Sequence, residues 1–172
     1  MLKKTALAMV VALSACGPSA EQKKLSADLT AGAKALEDSD KTATESLRVA
    51  VESGNAAIQA YDHAKAESAK GGKKAAKGAM MVSENADKAA ESLKAAIAEA
   101  GSVAPANVSE AMATAEKFAK KPGKVEEMKT ALSNIQNQMN ERVKSSEMAV
   151  EKIQSAKAAL EQALAAPAKA KM

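Results

Sequence analysis

Large apolar side chains in the first third of the chain recur at a fixed spacing of eleven residues. The repeat consists of Leu25, Leu36, Leu47 and Ile58, with Leu29 and Val51 on neighbouring rows. Eleven residues complete three turns at about 3.67 residues per turn. The pattern therefore predicts a long helix with a straight or slightly right-handed apolar stripe.

The C-terminal part of the chain carries a seven-residue repeat instead. One row consists of Val125, Leu132, Met139, Ser146, Ile153 and Leu160, and a second of Met128, Ile135, Ala149, Ala156 and Ala163. Two rows of this kind are typical of helices that pack as coiled coils. Arg142 and Ser146 are polar interruptions of the stripe, which Val143, Val150 and Leu164 widen towards its end.

Glycine and proline mark the predicted ends of the helices. They concentrate at Gly71-Gly72, in the stretch 101–105 and at Pro122-Gly123. These breaks divide the chain into helical runs of 21–70, 73–100, 107–121 and 124–166. Two local signals support the boundaries: Asn107 stands three residues before Glu110, as in a capping box, and Pro167 closes the last run.

The lengths of these runs predict an all-α, elongated antiparallel helical bundle or coiled coil. The first run would be roughly 75 Å long at 1.5 Å per residue, and the two middle runs together match the last. We therefore expect three long helices in an up-down-up order, the middle one broken, or alternatively four helices with a short third. Strand-forming residues are few and seldom alternate with polar ones.

Composition indicates a thin core. Roughly a quarter of the residues are Ala, and the only ring side chains are Tyr61, Phe118 and His63. Alanine buries little apolar surface, so helix propensity must supply much of the stability. A bundle of this kind gains core by self-association, which we expect through the helices.

The first sixteen residues form a segment typical of bacterial export. Lys3 and Lys4 precede a short apolar stretch over 5–13. A membrane-spanning helix needs about 20 apolar residues, so this stretch is too short to cross a bilayer. Without the two lysines, the formal charge of +4 falls to +2.

The end of this segment, Leu13-Ser14-Ala15-Cys16, resembles the lipobox of bacterial lipoproteins at all four positions. The resemblance implies S-linked diacylglycerol on Cys16, cleavage before it, and N-acylation of the new terminus. Cys16 is the only cysteine, so it has no disulfide partner within the chain. The alternative is ordinary secretory cleavage, with Ala12 and Ser14 as the small pair and a mature start at Ala15.

The predicted organisation follows from the lipobox. Residues 1–15 are a cleaved lipoprotein signal peptide, 16–20 a lipidated tether, 21–166 the helical bundle and 167–172 a flexible tail. Gly17, rather than Asp, follows the cysteine. Under the sorting rule of enterobacteria-like lipoproteins, this implies a cell-envelope protein anchored in the outer membrane, on its periplasmic face or at the cell surface.

Other kinds of chemistry find little support. Nucleic-acid binding is disfavoured because stacking aromatics and recognition motifs are missing. His63 is the only histidine, so a catalytic triad or zinc site lacks partners, and with Asp62 and Glu67 it makes at most a partial site. Covalent c-type haem attachment is excluded because the chain lacks C-x-x-C-H. The sequence predicts no catalytic residue, metal or cofactor.

The remaining polar and methionine residues have simpler interpretations. The Gly71-Gly72-Lys73-Lys74 segment lacks the order of a phosphate-binding loop and predicts a turn. We expect the carboxylates to be solvated and the methionines to fill gaps in the core. The carboxylates are Glu37, Asp38, Asp40, Glu126 and Glu127; the methionines are Met80, Met112, Met128, Met139 and Met148.

Two further resemblances concern architecture. The lipobox, the alanine-rich heptads and the terminal Lys171-Met172 are similar to the major murein lipoprotein of enteric bacteria, which implies a peptidoglycan partner. The eleven-residue spacing and the Lys/Glu/Ala bias of 86–91 resemble late-embryogenesis and apolipoprotein-type helices, which implies lipid-surface binding or stress protection. Together the sequence predicts a non-enzymatic envelope lipoprotein acting as a structural spacer or partner-binding module, the lipid-surface protein being the alternative.

Overall fold

The computed structural model describes residues 17–70 and 84–165. Its regular elements in these ranges are four α-helices, so the all-α prediction is confirmed. They are α1 (Ala20–Lys70), α2 (Glu84–Gly101), α3 (Val108–Lys120) and α4 (Val125–Ala165). The predicted breaks at 101–105 and Pro122-Gly123 fall between helices. The predicted turn at Gly71-Gly72, the export segment and the tail 167–172 lie outside the described residues.

The two long helices, α1 and α4, are parallel neighbours along their length. Side-chain hydrogen bonds join Gln22 to Gly123, Asp40 to Arg142 and Ser53 to Lys157, pairs separated by 101, 102 and 104 residues. Because the separation stays nearly constant as both helices advance, α1 and α4 run in the same direction.

The two short helices form the return leg between them. Asp87 at the start of α2 meets Tyr61 near the end of α1, whereas Ala106 after α2 meets Asp40 in the middle of α1. α2 packs against α1 and α4, while α3 packs mainly against α1. The up-down-up order with a broken middle helix is therefore confirmed over the described residues.

The buried residues form two separate core clusters. The proximal cluster, near the start of α1, includes Leu25, Leu29, Leu36, Phe118, Met128 and Ile135. The distal cluster includes Leu47, Tyr61, Leu93, Ala149, Ile153 and Leu160. Both heptad rows predicted in α4 face these clusters: Ile135, Ile153 and Leu160 are buried, and Val125, Leu132 and Met139 are partly buried.

The buried stripe of α1 differs from its predicted form. From Leu29 onward it follows a seven-residue repeat, in the rows Leu29, Leu36, Ala43, Ala50, Ala57 and Ala33, Asp40, Leu47, Gly54, Tyr61. The eleven-residue interpretation was wrong because it followed only the large side chains. Eleven is seven plus four, so a step from Leu36 to Leu47 crosses from one row to the other. Ile58, the next step, is only partly buried.

Candidate functional site

The start of α1 places the bundle directly after the predicted lipidation site. Cys16 lies outside the described residues, and Gly17 to Ser19 are exposed. Ser19 caps the helix: its Oγ accepts a hydrogen bond from the Gln22 backbone N–H at 3.1 Å, and Gln22 Oε1 accepts from the Ser19 N–H at 2.7 Å. This reciprocal box fixes the helix start at Ala20, the last residue of the predicted tether.

The turn between α3 and α4 lies against the same first turn of α1. Gln22 Nε2 donates a hydrogen bond to the Gly123 carbonyl at 2.8 Å. The Lys129 ammonium lies 3.1 Å from a Glu21 carboxylate oxygen, and this contact raises the pKa of Lys129. Residues about a hundred positions apart therefore meet at the first turn of α1, which follows the predicted anchor closely in the sequence. We call this region, residues 17–24 with 117–129, the proximal end.

The proximal end is rich in exposed lysine. Its surface carries Lys23, Lys24, Lys117, Lys120, Lys121, Lys124 and Lys129. Lys120 pairs with Glu116 at 3.3 Å, and the Lys117 ammonium lies 5.5 Å from the centre of the Phe118 ring. Lys23, Lys24, Lys121 and Lys124 make no ion pair with any residue of 17–70 or 84–165. The sequence analysis noted the basic balance and missed this clustering.

A buried ion pair joins α1 to α4 between the two core clusters. The Arg142 side chain keeps only 4% of its exposure and that of Asp40 19%, with Nε and Oδ1 2.6 Å apart. Arg142 Nη2 donates to Thr44 Oγ1 at 2.9 Å, and Asp40 Oδ1 also accepts from the Ala106 backbone N–H at 3.1 Å. We call these four residues the polar layer. The expectation that Asp40 is solvated was wrong, because Arg142 is its partner.

The polar layer borders an open groove of about 550 Å³, lined by the α2–α3 connection and by α4. Arg142 Nη1 and Gln138 Oε1 are buried without a hydrogen-bond partner among the described residues. Hydrogen bonding in this region is therefore incomplete. A buried polar group without a partner costs about 1–3 kcal/mol. The arrangement has the character of a structural ion pair and includes no nucleophile beside a base.

The other singled-out residues are scattered. His63 is exposed, as are its neighbours Asp62 and Glu67. Within the described ranges, no group of three or more His, Cys, Asp or Glu residues is placed to hold a metal ion. Met128 is fully buried and Met112 and Met139 are partly buried, whereas Met148 is 48% exposed, so its prediction as core filler was wrong. Met80 lies outside the described residues.

None of the helices in the described part of the chain combines the length and apolar character needed to cross a bilayer. Searches against family models, curated proteins and solved structures find no match to this chain.

Proposed function

We propose that this protein is a non-enzymatic, lipid-anchored protein of the bacterial cell envelope, in which the helical bundle acts as a structural spacer or partner-binding module. The lipobox ending at Cys16 supports the anchor. The placement of α1 supports the spacer, because this helix begins at Ala20, four positions after Cys16.

The observation that carries the proposal is the uninterrupted length of α1. Its 51 residues correspond to roughly 75 Å. The 41-residue α4 runs parallel beside it, so two continuous helices support the same long axis. A bundle tethered at one end by a few residues holds its far end tens of ångströms from the anchoring surface.

The grooves between the helices suit binding better than catalysis. They are open and lined mostly by small and polar side chains, as in the one between α1 and α4 that contains Ser46, Val49 and Val150. The alternative, binding to lipid surfaces through the eleven-residue repeat, needs its leucines to be accessible. Leu25, Leu36 and Leu47 are buried in the bundle, so this structural state favours the spacer.

Mass spectrometry of the protein purified from its native membrane tests the anchor. We expect a mature terminus at Cys16 carrying S-diacylglycerol and an N-acyl chain, and a Cys16→Ala variant that leaves the membrane fraction. The Gly17→Asp variant is the control: it keeps the lipid, and under the sorting rule it moves from the outer to the inner membrane. An unmodified Cys16, or a terminus at Ala15, would overturn the proposal.

Circular dichroism separates the spacer from the alternative. We expect the Cys16→Ala protein to be helical and to unfold cooperatively without lipid, because each core cluster lies between α1, α4 and one of the two short helices. A chain that becomes helical only when liposomes are added would support the lipid-surface hypothesis instead.

The expected binding partners of the bundle are predictions, and each has its own test. Light scattering tests self-association, and in-cell crosslinking tests an envelope protein partner. Release of the protein by peptidoglycan digestion would support a link to peptidoglycan through Lys171, which lies outside the described residues.

A further inference from the structure

The proximal end is held close to the predicted anchor by the length of the chain. Three residues separate Cys16 from Ala20, so full extension over four residue steps allows at most about 14 Å between them. The Gln22–Gly123 hydrogen bond keeps the α3–α4 turn level with the first turn of α1. Charges on both segments therefore stay near any surface that holds Cys16, and they are attracted to an anionic surface when they come within one Debye length of it, about 8 Å at physiological salt.

Four lysines in this region have no counter-ion in the described structure. Lys23, Lys24, Lys121 and Lys124 are exposed and make no ion pair with residues 17–70 or 84–165. Among the described residues at the far end of the bundle, Lys65 pairs with Asp87 and Lys88 with Glu84, each at 2.8 Å.

The positions of three of these lysines argue against a role in stabilising the helices, whereas Lys121 is the C-cap of α3 and does occupy a favourable position. Cations stabilise the C-terminal end of a helix dipole and are unfavourable at the N-terminal end. Lys117 and Lys120 lie in the last turn of α3, where this benefit applies. Lys23 and Lys24 lie at the start of α1, and Lys124 immediately precedes α4. At these N-terminal positions a cation does not stabilise the helix. The dipoles of α1 and α4 therefore do not account for the charges of Lys23, Lys24 and Lys124.

We propose that the proximal end rests on anionic phospholipid headgroups, with Lys23, Lys24, Lys121 and Lys124 as the contacting residues. This inference rests on the proposed function, since the lipid on Cys16 brings the lysines to the bilayer. Each lysine near an anionic surface contributes roughly a fivefold gain in association. The contact holds the base of the bundle on the membrane and directs its long axis outwards.

The test measures how the lysines of the lipidated, full-length mature protein react with a neutral amine-labelling reagent. The protein is reconstituted in vesicles of phosphatidylcholine alone or of phosphatidylcholine mixed with anionic phosphatidylglycerol. Peptide mass spectrometry then gives the labelling rate at each lysine, with Lys88 and Lys94 at the far end as internal standards.

We expect phosphatidylglycerol to slow labelling of Lys121 and Lys124 about fivefold relative to phosphatidylcholine. The protection should disappear at high salt, because the Debye length shrinks to about 3 Å at 1 M. Labelling of Lys88 and Lys94 should be the same in both vesicles. Equal labelling of the proximal lysines in both vesicles, or protection that survives high salt, would overturn the inference.

Charge-reversal variants provide the matched comparison. In Lys121→Glu/Lys124→Glu, we expect Lys23 and Lys24 to lose their protection by phosphatidylglycerol. In Lys34→Glu/Lys144→Glu, which makes the same charge change on exposed mid-bundle residues, protection should remain. Loss in both variants would overturn the inference. Failure of the anchor is distinguishable, because an unlipidated protein would not float with vesicles of phosphatidylcholine alone.

Discussion

Arg142 of α4 and Asp40 of α1, 102 residues apart in the sequence, form an ion pair between the two core clusters. The pair interrupts both heptad seams at the same level, where the return leg is also broken between α2 and α3. Asp40 accepts a further hydrogen bond from the Ala106 backbone in that break. One carboxylate therefore connects all three legs of the bundle.

We predict strong energetic coupling between these two residues. Asp40→Asn leaves a buried guanidinium without its counter-charge and should lower the free energy of unfolding by about 2–4 kcal/mol. Arg142→Met should cost less, because the Asp40 carboxylate is partly exposed. The double variant should lie within about 1 kcal/mol of wild type, since both charges are gone. Urea unfolding followed by circular dichroism measures all three.

Two controls compare the buried pair with an exposed ion pair and with another polar residue of the α4 seam. Replacing both members of the exposed pair Glu45 and Arg48, 2.7 Å apart, by Gln should lower the urea midpoint far less than Asp40→Asn does, because solvent screens this pair. Ser146→Ala removes the other polar residue of the α4 seam, whose Oγ donates only to the Val143 carbonyl of its own helix, and should change stability by less than about 0.5 kcal/mol. Additive effects of Asp40→Asn and Arg142→Met would contradict the predicted coupling.

The sequence was sufficient where large side chains or local caps mark the structure. The heptad rows of α4 were found because Ile135, Ile153 and Leu160 stand in them. The Asn107 cap was found because its partner is only three residues away, and the structure confirms that Asn107 Oδ1 accepts from the Glu110 N–H at 3.2 Å. The Ser19–Gln22 box has the same spacing and was available to the same argument, which overlooked it.

The sequence was insufficient where small or distant residues determine the packing. The seams of α1 are filled largely by Ala43, Ala50, Gly54 and Ala57. Alanine also occurs often on the exposed faces of this alanine-rich chain, so its position does not indicate burial. The pairing of Asp40 with Arg142, and the gathering of lysines at the proximal end, depend on the register between α1 and α4. Neither periodicity nor composition specifies that register.

Gly54 should be the least replaceable glycine of α1. A Cβ atom there would lie 2.9 Å from Ile97 Cδ1 and 3.3 Å from Ile153 Cγ2. We predict that Gly54→Leu lowers the free energy of unfolding by about 2–3 kcal/mol through overpacking. Gly101→Ala is the matched control: nothing lies within 4 Å of its Cβ position, so it should stabilise by about 0.5–1 kcal/mol. Thermal unfolding distinguishes the two, and a stabilised Gly54→Leu would refute this account.

The proximal and distal clusters should unfold together, because α1 and α4 pass through both. At Gly123, a Cβ atom would lie 2.6 Å from Cε1 of the buried Phe118 ring. Gly123→Ala should therefore disturb the proximal cluster. Tyr61, the only tyrosine, reports on the distal cluster through its fluorescence. We expect its urea midpoint to fall together with the circular dichroism midpoint, whereas an unchanged Tyr61 midpoint would indicate two independently unfolding halves.

Acid should weaken the distal end through Asp87. Its carboxylate accepts hydrogen bonds from Lys65, at 2.8 Å, and from the Tyr61 hydroxyl, and these two contacts lower the pKa of Asp87. A carboxyl group with a lowered pKa in the folded state stabilises the protein above its ordinary pKa of 3.8. That stabilisation is lost as the pH falls through the lower, folded-state value.

We therefore expect Asp87→Asn to be less stable than wild type in urea at pH 7, with a gap that narrows as the pH is lowered from 4 towards 2. The Glu147→Gln variant is the control, because Glu147 is exposed and makes no ion pair with the described residues. Its stability should follow that of wild type at every pH. If the difference in stability between wild type and Asp87→Asn stays constant from pH 7 to pH 2, the negative charge of Asp87 does not stabilise the contact between α1 and α2.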